Sequence, residues 1–138
     1  MALPAAKVLV VDGDKNSLEV TCALLHKEGY RVEKALGLNE VFHCLQQEKI
    51  DVLILDVEMP EMKGYEAIPL IKGIDPDLPI IITAEENSPE LESQVRHQRV
   101  FYYHVKSFGL EELKLAVENA IQRGSKEKFI FPAPEKVR

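Results

Sequence analysis

Cysteine is scarce in this chain: of 138 residues it occupies only positions 22 and 44, too few for the disulfide framework of a small secreted scaffold. Both fall within apolar helical patterns, so they read as small core hydrophobes in a reducing cytoplasm and not as a disulfide or a metal pair. Positive charge is also in short supply. Lysine and arginine number 17 against 23 acids, for a net charge of -6 with no basic patch, which argues against direct binding of nucleic acid or an anionic membrane. Nothing approaches the roughly 20 apolar residues of a membrane-spanning helix. The start, Met1-Ala-Leu-Pro4, has neither the basic segment nor the apolar run of a signal peptide, so a cytoplasmic location is expected. Internal repeats and low-complexity segments are missing as well.

What is present has a globular balance, 46% hydrophobic and 29% charged, over a length that corresponds to about one domain with its own core. The stretch Asp51-Val-Leu-Ile-Leu-Asp56-Val-Glu-Met-Pro60 organises it. Val52 to Leu55 run without a polar break and then meet Asp56. That is the pattern of a buried parallel strand delivering a carboxylate to the carboxyl edge of a sheet, where open α/β sheets keep their chemistry. Pro60 and Gly64 turn the chain sharply afterwards and leave the carboxylate facing a crevice.

The rest of the chain alternates strand and helix patterns. Lys7 to Val11 is a short apolar strand ending at Asp12-Gly13-Asp14, and Leu18, Cys22 and Leu25 mark a helix that Gly29 ends. Tyr30 to Lys34 alternates as an edge strand would, and Asn39 opens a second helix with Val41, Phe42 and Leu45. A third helix over about Tyr65 to Lys72 contains Pro69, which is expected to kink or shorten it unless a lost backbone bond is tolerated. Ile80 to Ile82 is a second fully buried strand ending at Thr83. Ser88-Pro89-Glu90 starts a fourth helix expected to reach about Arg99, followed by a fifth strand from Val100 to Val105 that ends at Lys106. Glu111 to Arg123 is the last helix, with Leu113, Val117, Ala120 and Ile121 inward, and Gly124 stops it.

Five such alternations with short connections predict an α/β, flavodoxin-like, doubly wound domain: a five-stranded parallel sheet of order 2-1-3-4-5 with helices on both faces. The expected organisation is residues 1–6 as a tail, 7–123 as the domain and 124–138 as a tail or linker. Phe129, Ile130 and Phe131 are too apolar for a free linker, so they are expected to pack on the domain or against another molecule.

In that strand order Asp12, Asp14, Asp56, Thr83 and Lys106 all reach one rim. Any one has an ordinary explanation: Asp12 or Asp14 as a helix cap, Thr83 as a strand end, Lys106 as a solvated lysine. Three strand ends converging on one rim make those explanations insufficient together. Adjacent carboxylates repel unless a divalent cation or a lysine neutralises them, so a Mg²⁺ site with Lys106 beside it is expected. A carboxylate so placed can act as a nucleophile on a phosphoryl group, with Thr83 donating to one of its oxygens.

These residues carry a family resemblance. Over about residues 7 to 123 the chain resembles a response-regulator receiver domain of two-component signalling. Val10-Val11-Asp12 resembles that family's acidic motif, Leu55-Asp56-Val57-Glu58-Met59-Pro60 with Gly64 its phosphoacceptor motif, and Thr83-Ala84 its switch hydroxyl and small neighbour. Lys106 resembles the invariant lysine and Tyr103 the rotating aromatic. The resemblance implies that Asp56 takes a phosphoryl group from a sensor histidine kinase or phosphotransfer protein, with Thr83 and Lys106 contacting it. It implies Mg²⁺ held by Asp12, Asp56 and the backbone carbonyl of Glu58. It also implies a switch through Thr83 and Tyr103, and an effector domain, effector protein or second copy docking on the fourth helix, fifth strand and fifth helix. On this reading the domain is not an enzyme beyond slow self-dephosphorylation.

Three departures bear on function. Gly13 stands where the family's second acid binds Mg²⁺, which weakens the metal site; Asp14 can replace that acid only if the loop bends inward, which the freedom of Gly13 permits. Ser107 replaces the proline after the lysine, so a trans bond and a re-routed loop are expected. His97-Gln98-Arg99-Val100-Phe101 replaces a Gly-Ala turn. Gly13 and Ser107 support an alternative, a phosphorylation-independent pseudo-receiver acting as a protein-interaction module. A weaker one is a small phosphatase using Asp12, against which Asn16 replaces the expected hydroxyl residue. An EF-hand loop at Asp12 fails because Ser17 and Ala23 fall where Gly and Glu are required.

Overall fold

The computed structural model describes residues 5–123. The segment with Phe129, Ile130 and Phe131 lies outside them. Strands β1 (Lys7–Val11), β2 (Arg31–Ala35), β3 (Val52–Asp56), β4 (Ile80–Ala84) and β5 (Tyr102–Val105) alternate with helices α1 (Lys15–Lys27), α2 (Leu38–Gln47), α3 (Gly64–Ile74), α4 (Pro89–Arg96) and α5 (Leu110–Arg123). All pairings are parallel and the strand order is β2-β1-β3-β4-β5.

Why the order comes out so is visible in burial. Every residue of β3 and β4 is buried, and these strands are internal, whereas Arg31 and Lys34 of β2 are exposed at an edge that charge protects from further pairing. β5 is an edge strand too, yet all four of its residues are buried. One core gathers Leu55, Ile80 and Ile82 with Val41, Ile68, Ile71 and Val95, so α2, α3 and α4 cover that face. The other gathers Ile54 and Ile81 with Leu18, Leu25, Leu113 and Val117, so α1 and α5 cover the opposite one. Burying each such leucine or isoleucine is worth about 1.5–3 kcal/mol, which outweighs local propensity along the strands.

Local signals bound α1 and α4 at one end each as the sequence predicts. Gly29, at φ 93°, closes α1, with the Tyr30 amide donating to the Leu25 carbonyl, and the Ser88 hydroxyl accepts from the Leu91 amide to open α4. Two boundaries differ. α3 runs through Pro69 to Ile74, two residues past the expected Lys72 and without being cut short, because Pro69 sits on the exposed face where water can serve the carbonyl that lost its donor. α4 ends at Arg96, three residues before the expected Arg99, because the Phe101 amide must reach the Ile80 carbonyl at 2.7 Å to bring β5 into the sheet.

Candidate functional site

Parallel register brings the acids together. One residue beyond the Val11–Leu55 pair of β1 and β3 stand Asp12 and Asp56, and Asp56 is itself paired with Thr83 of β4. All three are buried, at 4%, 5% and 4% exposure. Lys106, just past β5, reaches over them. Its Nζ lies 3.0 Å from Asp12 Oδ2 and 3.3 Å from Asp56 Oδ1, and it donates to Ser17 Oγ at 2.9 Å. The Thr83 hydroxyl donates to Asp56 Oδ1 at 3.0 Å.

The remaining carboxylate oxygens are held by backbone. The Glu58 amide donates to Asp56 Oδ2 at 3.3 Å and the Asp14 amide to Asp12 Oδ1 at 2.9 Å. Burial raises the Asp56 carboxyl above the usual carboxylate range, with Lys106 pulling the other way and Asp12 adding to the rise. For Lys106 burial alone would favour the neutral amine. The hydrogen bond to Asp12 and the field of Asp56 outweigh it and hold the ammonium above lysine's ordinary value. The cluster is therefore an ion triad in which one cation serves two acids.

Access and loop shape depend on two glycines. A Cβ at Gly64 would stand 2.2 Å from the Asp56 carbonyl oxygen, so only glycine lets α3 start this close to the strand end, where its amide donates to the Val57 carbonyl at 2.8 Å. A Cβ at Gly13 would stand 3.2 Å from the Glu58 carbonyl oxygen and 3.5 Å from Pro60 Cδ, so position 13 faces the loop that follows Asp56.

Asp14 is not brought to the cluster's interior. It is exposed and caps α1, its Oδ1 accepting from the Asn16 amide at 3.3 Å. The donor set therefore consists of two buried carboxylates and one carbonyl, and among the described residues no group of three or more His, Cys, Asp and Glu side chains could hold a metal. Mg²⁺ is commonly held by one or two carboxylates and completed by water, so Asp12, Asp56 and the Glu58 carbonyl fit it as a light ligand set. The Glu58 side chain itself turns outward to Lys63 at 2.8 Å.

Tyr103 is buried on the opposite face of β5, at 2% exposure, and its hydroxyl donates to Asn87 Oδ1 at 2.7 Å. The bond ties the ring to the segment between β4 and α4. Burial pushes the phenol up to about 12. Lys106 to Phe108 form a 3-10 turn before α5, and no cis peptide bond occurs among the described residues. Sequence reasoning missed Ser17, Asn87, His104 and Glu112. Ser17 carries a faint signal as an i+3 neighbour of Asp14 on the first helix, and Asn87 carries none.

A model of the response regulator receiver domain matches residues 8–118, and the chain belongs to that family. The DNA-binding transcriptional regulator NtrC of Azospirillum brasilense is 32% identical over 119 residues, covering 86% of this chain and 25% of that protein. This chain thus spans about a quarter of the length of the curated relatives it matches. The response regulator TrrA of Thermotoga maritima, solved in complex with Mg²⁺ and BeF, is 30% identical at a TM-score of 0.73, covering 83% of this chain and 97% of that one. A CheY-like receiver domain protein from Methanospirillum hungatei shares the fold at a TM-score of 0.80 and 23% identity, covering 86% and 95%. No described helix is long and apolar enough to cross a membrane.

Proposed function

We propose that the domain is a signalling switch in which Asp56 accepts a phosphoryl group from a sensor histidine kinase or phosphotransfer protein. The observation that carries this reading is Lys106 bridging Asp12 and Asp56 while Thr83 donates to the same Asp56 oxygen. An Asp56 oxygen attacks phosphorus, the bond from phosphorus to the donor nitrogen breaks, and an acyl phosphate results. Lys106 neutralises charge on the equatorial oxygens, and the Thr83 hydroxyl turns from Asp56 to one of them.

Asp12, Asp56 and the Glu58 carbonyl would hold Mg²⁺, as the Mg²⁺- and BeF-bound Thermotoga relative suggests. When bound, the ion supplies further charge neutralisation at the phosphoryl oxygens. With Gly13 in place of a third carboxylate that binding is weak. Hydrolysis of the acyl phosphate is slow in this reading. Movement of Thr83 is passed to Tyr103 and so to the face of α4, β5 and α5, where an effector domain, an effector protein or a second copy binds.

Incubation with Mg²⁺ and acetyl phosphate, followed by intact-mass measurement, tests the reading. One phosphoryl adduct is expected, absent from Asp56→Asn. A second reading, a pseudo-receiver that binds partners without phosphorylation, is favoured by Gly13 and the light ligand set. Failure of the adduct at saturating Mg²⁺ would decide for it.

A further inference from the structure

The polar row does not end at Thr83. Register pairs Thr83 of β4 with His104 of β5, so Asp56, Thr83 and His104 stand side by side on three adjacent strands, about 4.8 Å from one to the next. Tyr103 and Val105 pack into the core under α2, α3 and α4, whereas Ile54, Ile81 and Tyr102 pack into the one under α1 and α5. Alternation along the strands therefore turns Asp56, Thr83 and His104 to the same face, towards α1 and α5.

His104 is 1% exposed. Its Nδ1 lies 3.2 Å from Glu112 Oε1 in the first turn of α5. It also lines a cavity of about 340 Å³ with Ser17, Thr21, Thr83 and Lys106, so the imidazole stands between α5 and the acidic cluster. Desolvating a ring nitrogen costs free energy that an aliphatic strand residue would not incur, and the phosphoryl chemistry above makes no use of it.

Several charged or titratable groups face this imidazole. Glu112 holds Nδ1, and the Tyr102 hydroxyl shares that carboxylate. Lys106 follows on the same chain, Asp14 from the start of α1 and Glu85 from beyond β4 border the cavity, and the positive end of α5 lies nearby. Burial holds the imidazole below histidine's ordinary value against the pull of Glu112. Burial thus favours the neutral imidazole, and Nδ1 in that form can carry the proton that faces the carboxylate.

We propose that the His104–Glu112 pair is a proton-linked tether between the Asp56 site and α5, tightened when negative charge is added at Asp56. The proposal rests on the reading of Asp56 as phosphoacceptor. A phosphoryl group there places extra negative charge two strands from the imidazole and favours its protonated form. The proton comes from solvent through the cavity to Nε2. The hydrogen bond to the Glu112 carboxylate, charged on one side only in the neutral imidazole, then becomes a full ion pair and draws the first turn of α5 onto β5. His104 is thus a positioning residue, and it reports on the face of the sheet opposite Tyr103. Linkage is reciprocal, so protonating His104 favours the charged state of the Asp56 site in turn.

Ring-resonance NMR titration of the full chain tests this in four states: wild type and Asp56→Asn without Mg²⁺, and wild type with Mg²⁺ before and after addition of beryllofluoride. The His104 midpoint is expected to fall in Asp56→Asn and to rise with beryllofluoride, with amides of the first turn of α5 shifting at the same midpoint. In His104→Asn those amides should lose their pH dependence. An identical midpoint in wild type and Asp56→Asn would overturn the tether. So would loading of Asp56 by beryllofluoride without movement of the midpoint, which leaves the phosphoacceptor reading standing. Failure of beryllofluoride to load Asp56 would overturn that reading instead, and the Asp56→Asn comparison would still decide whether the two sites are coupled.

Discussion

The carbonyl oxygen of Glu58 lies 3.2 Å from where a Cβ on Gly13 would stand. Position 13 therefore addresses the loop after Asp56, while Asp14 points away and caps α1. Gly13→Asp should tighten Mg²⁺ binding and speed adduct formation, after the loop gives by a few tenths of an ångström. Asp14→Asn should change either by less than about twofold, since asparagine caps a helix as well as aspartate does. Calorimetric Mg²⁺ titration of both variants checks the pair. Loss of binding in Asp14→Asn with no gain in Gly13→Asp would make Asp14 the ligand.

Asp56 should affect stability in a pH-dependent way. Its folded-state pKa is raised, chiefly by burial, so ionised Asp56 is a cost that is fully present above the folded value and disappears as pH falls towards the unfolded one. Removing the charge should therefore stabilise the domain near pH 7. Urea unfolding of Asp56→Asn is expected to show that gain, shrinking as the solution is acidified through the carboxylate range. A gain that grew on acidification would reverse the assigned direction.

Gly64 should tolerate no side chain. The 2.2 Å approach to the Asp56 carbonyl means that Gly64→Ala must push α3 away from the strand end. A loss of about 1–3 kcal/mol is expected, the usual cost of overpacking, together with slower adduct formation. Gly73→Ala, where nothing lies within 4 Å of the added atom, is the control and should be neutral or stabilising. Equal losses in the two variants would remove the steric account.

Tyr103 and Asn87 should act as one unit. Tyr103→Phe deletes a 2.7 Å hydrogen bond and is expected to cost about 0.5–1.5 kcal/mol. Combined with Asn87→Ala it should be less than additive. If the pair carries the switch, beryllofluoride should shift resonances in α4, β5 and α5 of the wild type and fewer of them in Tyr103→Phe. Shifts confined to the surroundings of Asp56 in both proteins would separate Tyr103 from the site.

Much of this protein was determined by residue order alone. Two unbroken apolar runs, Val52–Leu55 and Ile80–Ile82, had to be internal, and an alternating run beginning near Arg31 had to be at an edge. The order β2-β1-β3-β4-β5 satisfies those conditions with short connections, and it puts Asp12, Asp56, Thr83 and Lys106 on one rim. Tertiary structure decided what lies between elements. Whether α3 could continue through Pro69 depended on which side faces water, and where α4 stopped depended on the bond from Phe101 to Ile80. The partners Ser17, Asn87 and Glu112 lie 89, 16 and 8 residues from the side chains they meet. Periodicity describes one segment at a time, whereas these contacts form only when register and helix packing bring separate segments within 3 Å or so of one another.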